Sequence, residues 1–313
     1  MIKTIYWHEH QAELKPSVAT VGFFDGVHRG HVHLLETVIR EARKNGDANA
    51  VVFTFEEHPR KVLCADYRPQ LLTTLDEKLL LLSKTGIDMC VVMRFDKNLA
   101  SMYARDFMKT ILHDRFNVKH LVVGYDHHFG HGRKESFEDY LSYGNEIGMS
   151  VQKDVVFSSG EMKISSSAIR SLIAEGDISA ANKSLGHNYT IGGRVVRGYG
   201  KGRTLGFPTA NIELADRDKL VPRSGVYAVR VNVSGDLSVY GGMMNIGNCP
   251  TMGEHEATLE VHIFNFEGDI YDKSISVELV SRLRNECRFD SLDSLSAQLA
   301  IDRQTAEGVL NMF

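Results

Sequence analysis

The chain has 313 residues, of which 43% are hydrophobic and 24% charged, and its formal net charge is -4. This balance lacks the basic excess of a nucleic-acid-binding protein, so we expect no nucleic-acid partner. No run approaches 18 apolar residues and the N-terminus lacks a signal-peptide pattern, so we expect a cytoplasmic protein without a membrane partner. The four cysteines form no Cys-x-x-Cys pair, which excludes a zinc knuckle or a disulfide framework: Cys64, Cys90, Cys249 and Cys287.

The first part of the chain alternates short apolar runs with helical patterns. Residues 18–21, 50–55, 89–93 and 121–124 predict buried strands, and the spacing of apolar residues in 30–44 predicts a helix. A capping-box pattern at 74–77 predicts another helix through 78–83. This alternation predicts an α/β fold, a mostly parallel, Rossmann-like sheet with helices on both faces, whose ligands bind where strands end.

The pattern changes near residue 188. Short strands are predicted at 189–197, 225–233, 239–246, 258–266 and 270–283, and one helix at 294–310. Successive strands without intervening helices predict a small antiparallel sheet or barrel closed by the terminal helix. We therefore expect two domains, residues 1–187 and 188–313, joined by a short linker within 184–188.

Residues 22–31 read Gly-Phe-Phe-Asp-Gly-Val-His-Arg-Gly-His, directly after a predicted strand and before a helix. The glycines let the backbone turn and approach a ligand closely. His28 and His31 then lie at a helix N-terminus, where phosphate oxygens bind favourably. The segment predicts a nucleotide phosphate site; the alternative is a glycine-rich turn with two solvated histidines.

A second candidate phosphate site is the segment 163–170, Lys-Ile-Ser-Ser-Ser-Ala-Ile-Arg. Serine hydroxyls and free backbone N–H groups at the opening of a helix can hold phosphate oxygens, and Arg170 can supply positive charge. A serine-rich helix cap is the alternative. Pairing with His28 and His31 favours the phosphate site.

Residues 193–211 contain a glycine-rich stretch with several cations, followed by Phe-Pro-Thr-Ala-Asn. The stretch is not a P-loop, but its backbone with Lys201 and Arg203 can cover a polyphosphate. Thr209 and Asn211 are two apart on a predicted strand, so both face one side and can offer oxygens to Mg²⁺. A hairpin loop would explain the glycines and cations but not the residues that follow.

Glu260 lies in a predicted strand, where its carboxylate can accept a proton from a substrate hydroxyl. An outward-facing charge is the alternative interpretation, and Glu278 is a rival for the same role.

Three histidines, His127, His128 and His131, could form a metal site. They lack an obvious carboxylate or thiolate ligand, so we expect a solvated or ligand-covering loop.

Residues 15–175 resemble the nucleotidyltransferase superfamily marked by His-x-x-Gly-His and a later Ile-Ser-Ser-Thr-like segment, in the branch that adenylylates flavin mononucleotide. The resemblance includes residues 24–28, 58–59, 95–96, 123–126, 129–130 and 163–170. It implies that His28 and His31 stabilise the transferring group. It implies nucleotide or flavin binding by further residues: Gly22, Phe23, Asp25, Gly30, Gly124, Asp126, Ser166, Ser167 and Arg170.

Residues 188–313 are similar to riboflavin kinase, on the segments 206–211, 225–228, 245–248, 250–251, 260–264 and 284–289. This similarity implies a small barrel, Mg²⁺-ATP near Thr209 and Asn211, and Glu260 as general base, with Asn211 also counted as catalytic. Nucleotide contacts are expected from Gly200, Lys201, Arg203, Thr204, Pro208 and Thr209. Asp272 stands where the family usually has a glycine.

Together the halves resemble the bifunctional prokaryotic riboflavin kinase and FAD synthetase family. The resemblance implies phosphorylation of riboflavin to FMN in the C-terminal domain, then adenylylation of FMN to FAD in the N-terminal domain, with riboflavin, FMN and ATP as small-molecule partners. Two alternatives remain: a nucleotidyltransferase for another phosphate ester, and a non-catalytic flavin-binding regulator. A weak homo-oligomer is left open.

Overall fold

The structure is a computed structural model, and it describes residues 2–8, 14–44, 46–64, 66–125, 128–155, 158–159, 162–198, 201–248 and 257–311. The contacts divide the chain into two compact units. Residues 1–69 and 75–165 form the first unit, and residues 70–74 and 166–313 form the second. No helix among the described residues is long and apolar enough to cross a membrane.

The first unit is built on six parallel strands in the order β1-β4-β3-β2-β5-β6. The strands are β1 (Lys3–Tyr6), β2 (Ser17–Val21), β3 (Asn49–Phe55), β4 (Met89–Met93), β5 (Val118–Val123) and β6 (Ser150–Lys153). Every residue of β2 and β4 is buried, as expected of parallel strands covered on both faces. The predicted parallel sheet is confirmed, although β5 begins three residues before the predicted run and β1 was not predicted.

Helices cover both faces of this sheet. They are α1 (Arg29–Lys44), α2 (Pro59–Leu63), α3 (Leu75–Ser83), α4 (Lys97–Ser101), α5 (Ala104–Asp106), a π-helix (Phe107–Arg115), a 3₁₀ turn (His131–Arg133) and α6 (Phe137–Ile147). Alternate residues of β3 face two separate cores. Val51 and Phe53 pack with the π-helix and α6, whereas Ala50 and Val52 pack with α1 and α3. A two-stranded pair follows, β7 (Ser158–Ser159) and β8 (Met162–Lys163).

The strand order reverses at β2. Its neighbour on one side is β3, the next strand in the chain, and its neighbour on the other side is β5. The loops that follow β2 and β5 therefore leave the same edge of the sheet in opposite directions, which opens a crevice in folds of this kind. The loop after β2 begins at Gly22 and the loop after β5 begins at Gly124, two of the predicted binding residues.

The second unit contains a closed antiparallel barrel in the order β10-β13-β12-β11-β14-β9. Its strands are β9 (Tyr189–Val196), β10 (Ala210–Leu214), β11 (Gly225–Val233), β12 (Val239–Asn248), β13 (Ala257–Ile263) and β14 (Ser274–Arg284). Its helices are α7 (Ser166–Glu175), α8 (Ile178–Leu185), α9 (Lys201–Thr204) and α10 (Leu292–Leu310). The predicted small barrel with a terminal helix is confirmed.

Some boundaries differ from the prediction for local reasons. The strand predicted at 270–283 begins only at Ser274, because Tyr271 and Asp272 form a turn in which Asp272 has a φ of 66°. The glycine-rich segment contains the four-residue helix α9, which was not predicted. Thr209 precedes β10, which begins at Ala210.

The terminal helix α10 closes one side of the barrel. A capping box of Ser291 and Ser294 starts it, and Ala306 packs in a core with Val226 and Ala228 of β11. Asp302, 3% exposed, receives three hydrogen bonds from the guanidinium of Arg284 on β14, at 2.7 to 3.0 Å. These hydrogen bonds raise the pKa of Arg284, which keeps the pair charged. The helix is thus fixed by apolar contacts and by one buried ion pair.

Candidate active sites

The loop after β2, residues 22–28, is the motif loop. Its first residue, Gly22, donates a backbone hydrogen bond to the Phe53 carbonyl of β3 at 3.0 Å. A side chain on Gly22 would lie 2.9 Å from the Phe24 ring, so the close packing of that ring requires glycine. Phe24 and Val27 are buried in the core below α1, although both have positive φ, 55° and 38°. For a β-branched residue such as Val27 this backbone is strained.

The two histidines of the motif lie side by side at the start of α1. The rings of His28 and His31 stack with centroids 3.6 Å apart, and the backbone N–H of His31 donates to Nδ1 of His28 at 3.2 Å. Because Nδ1 accepts, the neutral His28 ring carries its proton on Nε2. A Cβ on Gly30 would lie 3.2 Å from the His28 ring, so the predicted binding residue Gly30 also makes room for the histidine.

A buried lysine that the sequence analysis missed lies beneath the motif loop. The Nζ atom of Lys78, on α3, donates to the carbonyls of Phe23 at 3.2 Å and Phe55 at 2.8 Å. Thr54 donates to the same Phe23 carbonyl at 3.0 Å. The predicted residue Asp25 is also buried, and it interacts electrostatically with Lys78. The available signal was the position of Lys78 directly before four consecutive leucines, residues 79–82, because a charged residue within such an apolar segment can lie on its buried face.

The loop after β5 contributes the exposed ring of Tyr125, with Nζ of Lys153 at 4.9 Å from its centroid. Asp126 and His127 lie outside the described residues. The ring nitrogens of His128 and His131 pair with the backbone carbonyls of Glu135 and Ala100, each at 3.1 Å. Within the described part of the chain, no cluster of three or more His, Cys, Asp or Glu could hold a metal ion.

Residues 163–165 of the serine-rich segment belong to the first compact unit, and residues 166–170 belong to the second, where they start α7. Ser166 is partly buried and Ser167 is exposed, both in the first turn of the helix, where backbone N–H groups lack partners within the helix. Arg170, one turn later, donates through Nε to the Gln70 carbonyl at 2.7 Å. The guanidinium is therefore oriented by the segment 70–74.

The barrel carries a pocket of about 420 Å³. Its lining is mixed: Val195, Val261 and Ile263 supply apolar surface, and the other lining includes residues 266 and 268–271. The predicted nucleotide residues Arg203, Pro208 and Thr209 line the same pocket. Apolar surface together with placed polar groups is typical of small-molecule sites. Gly200 and the side chains of Lys201 and Thr204 lie outside the described part of the chain.

Glu260 lies directly opposite Asn211 in the ladder between β13 and β10, and opposite Asn245 on its other side. Side chains at opposite positions have Cβ atoms about 5 Å apart and share a face of the sheet. The Asn211 side chain also fills the space at Gly198, where a Cβ would lie 2.1 Å from Nδ2. The rival Glu278 accepts a hydrogen bond from Asn188 at 3.2 Å and pairs with Thr190 and Arg230.

His262 follows Glu260 by two residues and is the second residue that the sequence analysis missed. Its Nδ1 pairs with the Pro208 carbonyl at 2.8 Å, so Nδ1 carries the proton and donates. Burial lowers the pKa of His262, which favours the neutral ring. Nε2 has no hydrogen-bond partner among the described residues. His262 thereby holds the turn that leads to Thr209.

Thr209 and Asn211 supply a hydroxyl and an amide oxygen, the hard ligands that Mg²⁺ accepts. Mg²⁺ is commonly held by one or two protein oxygens together with substrate phosphates. Thr209 lines the pocket, whereas Asn211 does not. The donor set therefore fits a magnesium ion that arrives with ATP.

Two family models match the chain: FAD synthetase over residues 10–168 and riboflavin kinase over residues 185–310. A bifunctional riboflavin kinase/FMN adenylyltransferase of Escherichia coli K12 is 41% identical over 296 residues, which cover 95% of this chain and 93% of the relative. The chain belongs to the bifunctional riboflavin kinase/FMN adenylyltransferase family. It phosphorylates riboflavin to FMN and adenylylates FMN to FAD.

Other members of the family agree in length as well as in sequence. The Bacillus subtilis bifunctional riboflavin kinase/FMN adenylyltransferase is 36% identical, with 97% of both chains covered. A solved structure described as a macrolide-efflux protein from Streptococcus pneumoniae shares the fold, with a TM-score of 0.87, 33% identity, and 97% and 98% of the two chains covered. Neither of the two matching family models describes an efflux protein. The predicted domain boundary at 187/188 stays a prediction.

Proposed function

We propose that the two reactions use two separate sites, one in each half of the chain. The observation that carries this proposal is the placement of the candidate residues. The motif loop lies at the reversal of strand order in the parallel sheet, and Glu260 lies beside Asn211 on the barrel. Each arrangement suits one reaction, because the first offers an anion site and the second offers a carboxylate opposite an amide on the barrel.

In the barrel, ATP lies with its base against the apolar surface of the pocket and its phosphates toward Arg203 and Thr209. Glu260 takes the proton from the terminal ribityl hydroxyl of riboflavin as the oxygen attacks the γ-phosphorus. The bond from that phosphorus to the β-phosphate oxygen breaks, and ADP leaves. Thr209 and Asn211 would hold Mg²⁺, which would neutralise phosphate charge there. Catalysis is mostly positioning and charge neutralisation.

In the α/β half, a phosphate oxygen of FMN attacks the α-phosphorus of ATP and pyrophosphate leaves. The FMN phosphate is already ionised, so no general base is needed. His28 and His31, with the N-terminus of α1, stabilise the charge that builds at the α-phosphorus. The loop with Gly124 is proposed as part of the nucleotide and flavin site, and phosphate binding by Ser166, Ser167 and Arg170 stays a prediction from the sequence.

The kinase assignment is tested by Glu260→Gln, which keeps the side-chain volume and removes the base. FMN formation from riboflavin should fall by about 10²–10⁴-fold, because general-base catalysis contributes that much. FAD formation from supplied FMN should persist. The matched control is Glu278→Gln on β14, a strand that does not pair with β13; this variant should keep kinase activity. Loss of activity in Glu278→Gln but not in Glu260→Gln would reverse the assignment.

The adenylyltransferase assignment is tested by His28→Ala, which should abolish FAD formation from FMN and leave FMN formation intact. His120→Ala is the matched control. Its ring nitrogens pair with Ser150 and Gln152 on β6, so its loss should affect stability only. Equal loss of both activities in His28→Ala would contradict a separate site.

A cytoplasmic location and a weak homo-oligomer are further proposals that rest on the sequence. Sedimentation velocity over a range of protein concentrations tests the second, because a weak oligomer shifts toward larger species as concentration rises.

A further inference from the structure

Lys78 is only 2% exposed, a degree of burial that is rare for a charged side chain. Its ammonium bonds the carbonyls of Phe23 and Phe55 and lies 4.2 Å from the centroid of the Phe23 ring. Phe23 belongs to the motif loop, and Phe55 is the last residue of β3. One side chain thus ties the exits of two neighbouring strands together.

The motif loop needs such a restraint. Phe24 and Val27 both have positive φ, a backbone region that is unfavourable for non-glycine residues and persists only where surrounding contacts fix it. The bonds from Lys78 and Thr54 converge on the carbonyl of Phe23, the residue directly before the first strained position. The strain and its restraint are therefore adjacent in the chain.

The surroundings of Lys78 bring its pKa close to neutral pH. Burial lowers the pKa of Lys78 to about 8, while the carboxylate of Asp25 acts in the opposite direction. Cys90 of β4 also faces it, but burial raises the pKa of that thiol to about 12, so the thiol is neutral near pH 8. His58 packs on the Phe23 ring, with centroids 4.8 Å apart. Glu77 is the neighbouring charged residue on α3.

We propose that Lys78 is a positioning residue for adenylyl transfer: its ammonium fixes the strained motif loop through Phe23 and Phe55 and adds positive charge beneath it. The proposal rests on the placement of the adenylyl-transfer site at this loop. A catalytic role is not implied, because Lys78 acts through the loop and not on the reacting atoms.

The test is Lys78→Met, which keeps the length of the side chain but removes its charge and its donors. FAD formation from FMN should fall on the order of 10²-fold, the effect expected of a small displacement in a catalytic site. FMN formation from riboflavin, measured in the same preparation, should stay within twofold. The control is Leu82→Ala, one helical turn along α3, where a fully buried leucine is truncated. It should lower thermal stability without changing the ratio of the two activities.

A pH profile separates positioning from mere packing. In the wild-type protein, kcat/KM for ATP in FAD formation should fall above about pH 8 as Lys78 loses its proton, and this decline should be absent in the residual activity of Lys78→Met. An alkaline decline that persists in the variant, equal loss of both activities, or an unchanged ratio would overturn the proposal. If His28→Ala retains FAD formation, the site placement itself fails, and this outcome is distinct from any result with Lys78.

Discussion

Asp272 has a left-handed backbone, with φ 66°, in the turn that precedes β14. Its carboxylate pairs with Arg194 at 2.8 Å, but both side chains are exposed, so the pair contributes little to stability. Asp272→Ala should therefore lower the free energy of unfolding by no more than about 1 kcal/mol, because aspartate already carries the Cβ that makes this region costly and only tolerates it somewhat better than alanine. Asp272→Gly, which loses the same carboxylate, should stay within about 0.5 kcal/mol of the parent protein.

The urea concentration at which half of the kinase activity is lost measures the stability of both variants. Equal destabilisation of the two would mean that the ion pair, and not the backbone, matters at this position.

The unusual aspartate is evident from the sequence, but its conformation is not. The roles of Lys78 and His262 were not predicted either, because the sequence around a lysine or histidine does not indicate which backbone carbonyl its side chain will bond. Those carbonyls come from Phe23, Phe55 and Pro208, which are distant in the chain.

At the scale of elements, the position of α10 on the barrel depends on the pair of Arg284 and Asp302. Arg284→Met would leave the buried carboxylate of Asp302 without its cation, which should cost about 3–5 kcal/mol. The double variant Arg284→Met with Asp302→Leu should recover most of that loss, because two apolar side chains can replace a buried ion pair. Thermal unfolding, monitored by the loss of kinase activity, measures the stability of the single and the double variant. A double variant no more stable than Arg284→Met would contradict this account.

The elements predicted best are those whose burial pattern is strongest. The run 89–93 was predicted with its exact bounds because all five residues are apolar and buried. The strand β1 was missed because its first two residues, Lys3 and Thr4, are exposed and its pairing is with β4, far along the chain. The helix α9 was missed because glycine-rich sequence has low helix propensity, and only its context in the fold produces a turn of helix there.

At the scale of the whole molecule, each reaction is expected to need the residues of only one half. A mixture of His28→Ala and Glu260→Gln proteins should therefore convert riboflavin to FAD, because FMN made by the first protein can reach the intact adenylyltransferase of the second through solution. Neither variant alone should do so at a comparable rate. Chromatography of the flavins measures this, and absence of FAD from the mixture would mean that one chain must carry both intact sites.

The barrel strands form a ladder without ends, whereas the parallel sheet ends at β1 and β6. A barrel strand can leave only by breaking two ladders at once, but among the described strands β1 pairs only with β4. When those four residues separate briefly from the sheet, they expose a row of main-chain donors and acceptors to which a strand of another molecule can add. In a warm, concentrated solution we expect self-association to start at this N-terminal edge, well before the barrel opens.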